Sequence, residues 1–171
     1  MNPRKIKVPD LRIPRLDKNT HFMLLAHWAA IQSTCDRGPT LLFDSSRHGV
    51  GAAIVKGGCV IATGYNGSPP KVPHCSEIGH MMVSGHCVGT IHAECNAILQ
   101  CAIQAISPVG SSIYTTASPC FDCSKLIIRA GIEEVFFSRA YDSRYDLSGS
   151  AQQYLLEHGV RCVHWDIMEK K

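Results

Sequence analysis

The sequence predicts an α/β protein, a three-layer α/β/α sandwich around a mixed sheet of about five strands. Three observations predict it. Two apolar runs, VGAAIV (50–55) and CVIAT (59–63), flank Lys56-Gly57-Gly58, which is a hairpin signal. Beyond residue 91, helix-like and strand-like segments alternate to the end of the chain, as parallel β-α-β units do. The chain's 171 residues, 45% of them hydrophobic, suffice for one domain with a full core.

The elements follow in order. Residues 1–19 hold three prolines and six Lys or Arg and read as a basic arm. The folded domain is expected over 20–171. Asn19 or Thr20 caps a helix beginning near His21, with Phe22, Leu25, Ala26, Ala29 and Ala30 on one face, running to Ser33. Residues 35–49 form a loop, and the hairpin follows. Residues 64–91 are rich in Gly and Pro and lack periodicity. They read as a long loop, the kind that carries function. A helix is expected over 92–105, where Ala93, Ala97, Ile98, Cys101 and Ala102 recur at helical spacing. SIYTT (112–116) is a strand. A helix over 120–130 ends at Gly131. EEVFFS is a strand, 149–158 a helix, and VRCVHW the last strand.

Composition narrows the function. No apolar run reaches membrane-span length, and the N-terminus lacks the apolar stretch of a secretory signal. A cytoplasmic protein with no membrane partner is expected. The net charge of +3 and 7% aromatic content fall short of a nucleic-acid-binding footprint. Nine cysteines, an odd number, point to metal binding before disulfides in a reducing compartment.

Two short segments carry the chemistry: His92-Ala93-Glu94 and Pro119-Cys120-Phe121-Asp122-Cys123. Each sits at the expected start of a helix. Alone, Cys-x-x-Cys also suits a zinc knuckle or a redox pair. Joined to His-x-Glu, it matches a zinc deaminase signature. One imidazole and two thiolates leave the fourth tetrahedral zinc position open to water. Helix N-termini favour the thiolates. Glu94 is placed to act as the proton-transferring acid and base without being a ligand.

Finer motifs carry a resemblance. Residues 64–69 read GYNGSP, and residues 91–99 read IHAECNAIL. Ser33-Thr34-Cys35, Val50-Gly51-Ala52 and KLIIRAGI (125–132) fit the same pattern, as does HC-x-x-x-IHAE from His86 to Glu94. Over residues 20–165 the chain resembles deoxycytidylate (dCMP) deaminases of the bacterial late-competence and phage-type branch. The resemblance implies the cytidine-deaminase-like fold and a hydrolase of cyclic amidine C–N bonds. It implies deamination of dCMP to dUMP and ammonia at a catalytic Zn2+ held by His92, Cys120 and Cys123, with Glu94 as proton shuttle.

The resemblance also implies substrate contacts from Asn66, the Ala93 backbone and Tyr141. It implies control by dCTP and dTTP with Mg2+ at a site involving Tyr65, Asn66 and Gly67. A homo-oligomer, commonly a hexamer, is expected. Cys35 and Cys75 match positions that hold a second, structural Zn2+ in phage-type relatives. The acidic ligand of those relatives is Thr90 here, so Cys87 with His86 or His80 is expected to complete the set; Cys35, Cys75, His86 and Cys87 are the ligands chosen. Cys59, Cys95, Cys101 and Cys162 read as core residues. Segment 38–47 is longer than in relatives. Arg47 and Lys71 are candidate phosphate contacts. The competing readings are a deaminase of another nucleotide or nucleic-acid base, and a non-catalytic zinc-binding accessory protein.

Overall fold

The computed structural model describes residues 15–140, 150–165 and 167. Most of the expected basic arm, and Tyr141, lie outside these residues. The first helix, α1, spans Lys18–Ala30. It starts earlier than expected because Asp17, not Asn19 or Thr20, is the cap. The Asp17 carboxylate accepts the backbone N–H groups of Asn19 and Thr20 at 3.1 and 3.0 Å. An aspartate satisfies two of the orphan donors of a first turn. The buried face is Phe22, Met23, Ala26, His27 and Ala30, while Leu25 and Ala29 are half-buried at its flank.

The hairpin forms β1 (Gly51–Lys56) and β2 (Cys59–Tyr65), which pair antiparallel. The region expected to be an irregular loop holds three small elements: α2 (Cys75–Ile78), β3 (Met82–Val83) and β4 (His86–Cys87). Ser84 and Gly85 turn the β3–β4 hairpin with φ of 48° and 78°. Both signs are positive, as a two-residue hairpin turn of this hand requires. Next come α3 (Ala93–Ile103), β5 (Ser112–Thr115), α4 (Phe121–Arg129), β6 (Glu134–Phe137), α5 (Ser150–Glu157) and β7 (Arg161–His164).

The main sheet has five strands in the order β2-β1-β5-β6-β7. β1 pairs antiparallel with β2 and β5, and β5-β6-β7 run parallel. This is the mixed sheet that the sequence predicts. Alternation along β1 divides the core. Ala52 and Ile54 face α3, α4 and α5 together with Ala97, Cys101, Ile127 and Leu155. Ala53 and Val55 face α1 together with Phe22, Met23, Tyr114 and Phe136. Three helices on one face and one on the other make the three layers. Two of the expected core cysteines are only half-buried, Cys95 and Cys162, and Cys59 is exposed because it opens the edge strand β2. No helix among the described residues is long and apolar enough to cross a membrane.

Two glycines let helix backbones lie directly on the hairpin. A Cβ on Gly51 would meet the Ala26 carbonyl oxygen at 2.1 Å, and one on Gly64 would meet the Ala93 oxygen at 2.2 Å and the Ala97 nitrogen at 2.4 Å. Gly64 thus sets the height of the first turn of α3 above the sheet. Gly64→Ala is expected to lower unfolding free energy by about 3 kcal/mol, the upper end of the cost of overpacking. Urea unfolding of the variant checks this.

Candidate active site

The N-termini of α3 and α4 meet at the end of the sheet where β5 and β6 finish. His92 is the N-cap of α3 and Cys120 the N-cap of α4. Both have extended backbones, so their side chains project ahead of the helices. Cys123 lies in the first turn of α4, and its N–H donates to the Cys120 sulfur at 3.5 Å. His92 Nδ1 is 3.4 Å from Cys120 Sγ and 3.5 Å from Cys123 Sγ. Tetrahedral zinc with bonds of about 2.0–2.3 Å spaces its ligand atoms roughly 3.4–3.8 Å apart. The donor set and its spacing therefore fit zinc, with one position left for water.

Local bonds fix this arrangement. Ile91 and Gly67 exchange two backbone hydrogen bonds, at 2.9 and 3.1 Å. The Asn96 side chain donates to the Tyr65 carbonyl at 2.7 Å. GYNG is thereby stitched to the residues around His92. On the α4 side, the Ser118 N–H donates to the Arg139 carbonyl at 2.7 Å, and Ser124 Oγ donates to the Cys120 carbonyl at 3.0 Å.

Charge follows from these contacts. The Cys123 thiol, His92 and the Cys123 N–H hold the Cys120 thiol down to about 4, against the effect of burial. Cys123 moves the other way because it shares its proton with Cys120. Glu94 follows His92 by two residues and is buried beside the cluster. Burial raises its carboxyl to about 7, with His92 opposing. A buried carboxyl next to a metal-ligand cluster is the pattern of a proton-transfer group.

His92, Glu94 and Cys120 line a cavity of about 650 Å³, with Cys123 behind them. Val50, Asn66 and His48 line one wall, and Ser118, Arg139 and Ala140 another. Arg37, Gly85, His86, Cys87 and Thr90 close the third. The volume suits a small-molecule ligand.

The sequence model described as "Cytidine and deoxycytidylate deaminase zinc-binding region" matches residues 19–139. The chain belongs to this deaminase family. ComE operon protein 2 of Bacillus subtilis is 42% identical over 127 residues, covering 74% of this chain but 62% of its own length. Deoxycytidylate deaminase of Mycobacterium phage D29 is 34% identical over 136 residues, covering 73% of this chain and 97% of its own. The dCMP deaminase of cyanophage S-TIM5, solved with dCMP and dUMP, superposes with a TM-score of 0.70 at 28% identity, covering 89% of this chain and 99% of its own.

Beside the deaminase cavity lies a second cluster. Cys35, Cys75, His80 and Cys87 bring their ligand atoms within 4.8 Å of one another. Cys75 Sγ is 3.6 Å from Cys87 Sγ, and Cys35 Sγ is 3.7 Å from His80 Nδ1. Burial, helped by Cys87, pushes Cys75 up to about 12. Cys87 is itself buried, but contacts led by His80 lower it to about 7. The histidine in this cluster is His80 and not His86. Adjacent residues of a strand point to opposite faces, so with Cys87 facing the cluster, its neighbour His86 faces the cavity. His80 Nε2 lies 2.8 Å from Asp36, the outer-shell carboxylate that a metal-ligating imidazole ordinarily has.

Asn66 lines the cavity, but its side chain is also a structural node. Its Oδ1 accepts from the Val50 N–H at 2.7 Å and from the Ser33 hydroxyl, and its Nδ2 donates to the Cys35 carbonyl at 3.0 Å. Ala93 is fully buried, and Tyr65 is partly exposed at the edge of β2. Neither Arg47 nor Lys71 lines the cavity, and Arg47 donates to the Ile31 carbonyl at 2.9 Å. Arg37 and Arg139 line it instead, and nothing in their local sequence marks them. Asn66→Ala strands the Val50 N–H, leaves the Cys35 carbonyl with the Ser33 hydroxyl alone, and is expected to cost about 2–3 kcal/mol in urea unfolding. An unchanged unfolding curve with a raised KM would instead make Asn66 a substrate contact alone.

Proposed function

We propose that this deaminase hydrolyses dCMP to dUMP and ammonia. The observation that carries the reading is the convergence of His92, Cys120 and Cys123 on a cavity end that also holds buried Glu94. The phage relatives, deoxycytidylate deaminases of which one is solved with dCMP and dUMP, support the choice of substrate. A zinc ion held by those three ligands would supply Lewis acidity, lowering the pKa of a water from about 15.7 to about 7.

Glu94 does the proton work. It takes a proton from the attacking water and delivers it to ring N3 as oxygen bonds to C4. It then carries the second water proton to the departing amine as the C4–N bond breaks. Oxygen stays on the ring as the new carbonyl and nitrogen leaves as ammonia, so atoms and protons balance. Because the carboxyl is buried, bulk water competes little for these transfers.

The reading includes a second, structural zinc on Cys35, Cys75, His80 and Cys87. Four protein ligands leave no open position, as structural sites require. Such an ion ties the loop after α1 to the α2–β4 region, which together form one wall of the cavity.

Two outcomes follow. Glu94→Gln is expected to keep its zinc while turnover of dCMP, read by ammonia release, falls at least about 100-fold; near-normal turnover would overturn the role of Glu94. Metal analysis of the unaltered protein is expected to give two zinc ions per chain, and Cys75→Ser one. A single zinc in the unaltered protein would remove the structural site.

A further inference from the structure

We propose that the second cysteine cluster is an oxidisable clasp: hydrogen peroxide joins Cys75 to Cys87 in a disulfide, ends four-ligand zinc binding there, and unties one wall of the deaminase cavity. This rests on the reading above that Cys35, Cys75, His80 and Cys87 hold a structural zinc.

The pair is set up for the bond. Cys75 Sγ and Cys87 Sγ are 3.6 Å apart. A disulfide places its sulfurs about 2.05 Å apart, so the two have roughly 1.5 Å to close. Cys75 opens the four-residue helix α2, and Cys87 ends the two-residue strand β4. Elements this short have few hydrogen bonds of their own to resist such a shift.

Access favours this pair over the catalytic one. Cys75 lines a second cavity of about 350 Å³, and Cys87 lines the deaminase cavity. Each is 8% exposed, against 5% for Cys120 and 2% for Cys123, and Cys123 lines neither cavity. Cys35 is 3% exposed and lies against His80, at 3.7 Å.

The electrons balance. The Cys75 thiolate attacks one peroxide oxygen, the O–O bond breaks, and a sulfenic acid and hydroxide form. The Cys87 thiolate then displaces hydroxide from the Cys75 sulfur as the S–S bond forms. Two thiolates give up two electrons in all, and peroxide is reduced to two hydroxides.

The disulfide does not replace the metal as a tie. Four ligands join the loop after α1, through Cys35, to the α2–β4 segment, through Cys75, His80 and Cys87. A Cys75–Cys87 bond joins that segment only to itself and leaves Cys35 outside. Arg37 to Gly85 and Asp36 to His80 still span the two, at the surface, where polar contacts contribute little. Residues 76–86 include none that is buried, and Ile78, Met81, Met82 and Val83 are exposed. The segment therefore has no core of its own to hold it in place. His92, Glu94, Cys120 and Cys123 belong to α3 and α4 and keep their positions.

The test treats the full zinc-loaded chain with a rising series of hydrogen peroxide. Released zinc is read with a chromophoric chelator, disulfides by peptide mapping without reductant, and dCMP turnover beside them. About one zinc ion per chain is expected to leave as the Cys75–Cys87 bond appears. KM is expected to rise about threefold or more while kcat changes less than about twofold. Dithiothreitol with added zinc is expected to restore both zinc content and KM. The Cys59→Ser chain, which lacks an exposed thiol, is expected to behave alike. A Cys120–Cys123 bond forming first would overturn the clasp, as would a bond that takes Cys35 or a Cys75–Cys87 bond that forms without zinc release. A protein that holds one zinc before any peroxide is added removes the structural-zinc reading, and the clasp with it. Two zinc ions at the start with none released leaves that reading standing and overturns the clasp alone. Should dCMP not be turned over at all, the proposed reaction falls, and zinc release and the mapped disulfide still decide the clasp.

Discussion

The structure depends on two helix N-termini being brought to one point. His92 and Cys120 are N-caps, so each sits where its helix presents free N–H groups and partial positive charge. That field is worth about 0.3–1 kcal/mol per interaction at an exposed end, and up to about 2 kcal/mol when partly buried. It can bias a thiol toward thiolate but cannot hold three ligands together against burial. Metal binding can, since structural zinc contributes about 10–16 kcal/mol in small domains. The protein's own task is geometric. Gly64 seats α3 against β2, and the parallel β5-β6 pair fixes the segment that leads into α4.

The second constraint is the wall over the cavity. The loop after α1, the GYNG segment and the β3–β4 hairpin come from three parts of the chain with little regular structure of their own. They are held by polar links: Thr34 N–H to the Asn66 carbonyl, Asn66 to Val50 and Cys35, and Arg37 to Gly85. Cys35, Cys75 and Cys87 supply the buried sulfur cluster beneath them. Loops of this kind seldom carry enough apolar contact to order themselves. In the proposed reading, a cross-link by the four ligands Cys35, Cys75, His80 and Cys87 takes the place of the missing core and joins the loops that wall the cavity.

Much of this was legible in the sequence, and the reasons are specific. The five strands were legible because two apolar runs flank a Gly-Gly turn and later strands are spaced by helical segments. His92, Glu94, Cys120 and Cys123 stood out because their spacing has a chemical reason. The cap at Asp17 was hidden in a charged arm, where an aspartate looks like one more polar residue. The β3–β4 hairpin was missed because two-residue strands have no period, although Ser84-Gly85 was an available turn signal. His80 could not be separated from His86 without knowing which side of β4 faces the cluster. Arg37 and Arg139 lie about a hundred residues apart and line one cavity only after the sheet has formed.

The central claim is that the two caps and Cys123 hold a zinc ion with one position open. X-ray absorption at the zinc edge of the unaltered protein tests it most directly. The account predicts a mixed shell, with sulfur at about 2.3 Å and nitrogen or oxygen at about 2.0–2.1 Å, drawn from five thiolates and two imidazoles over two ions. Binding of a nucleotide should perturb the lighter-atom part of that shell and leave the sulfur part in place. A shell of nitrogen and oxygen alone, or one of sulfur alone, would contradict the assignment of His92, Cys120 and Cys123.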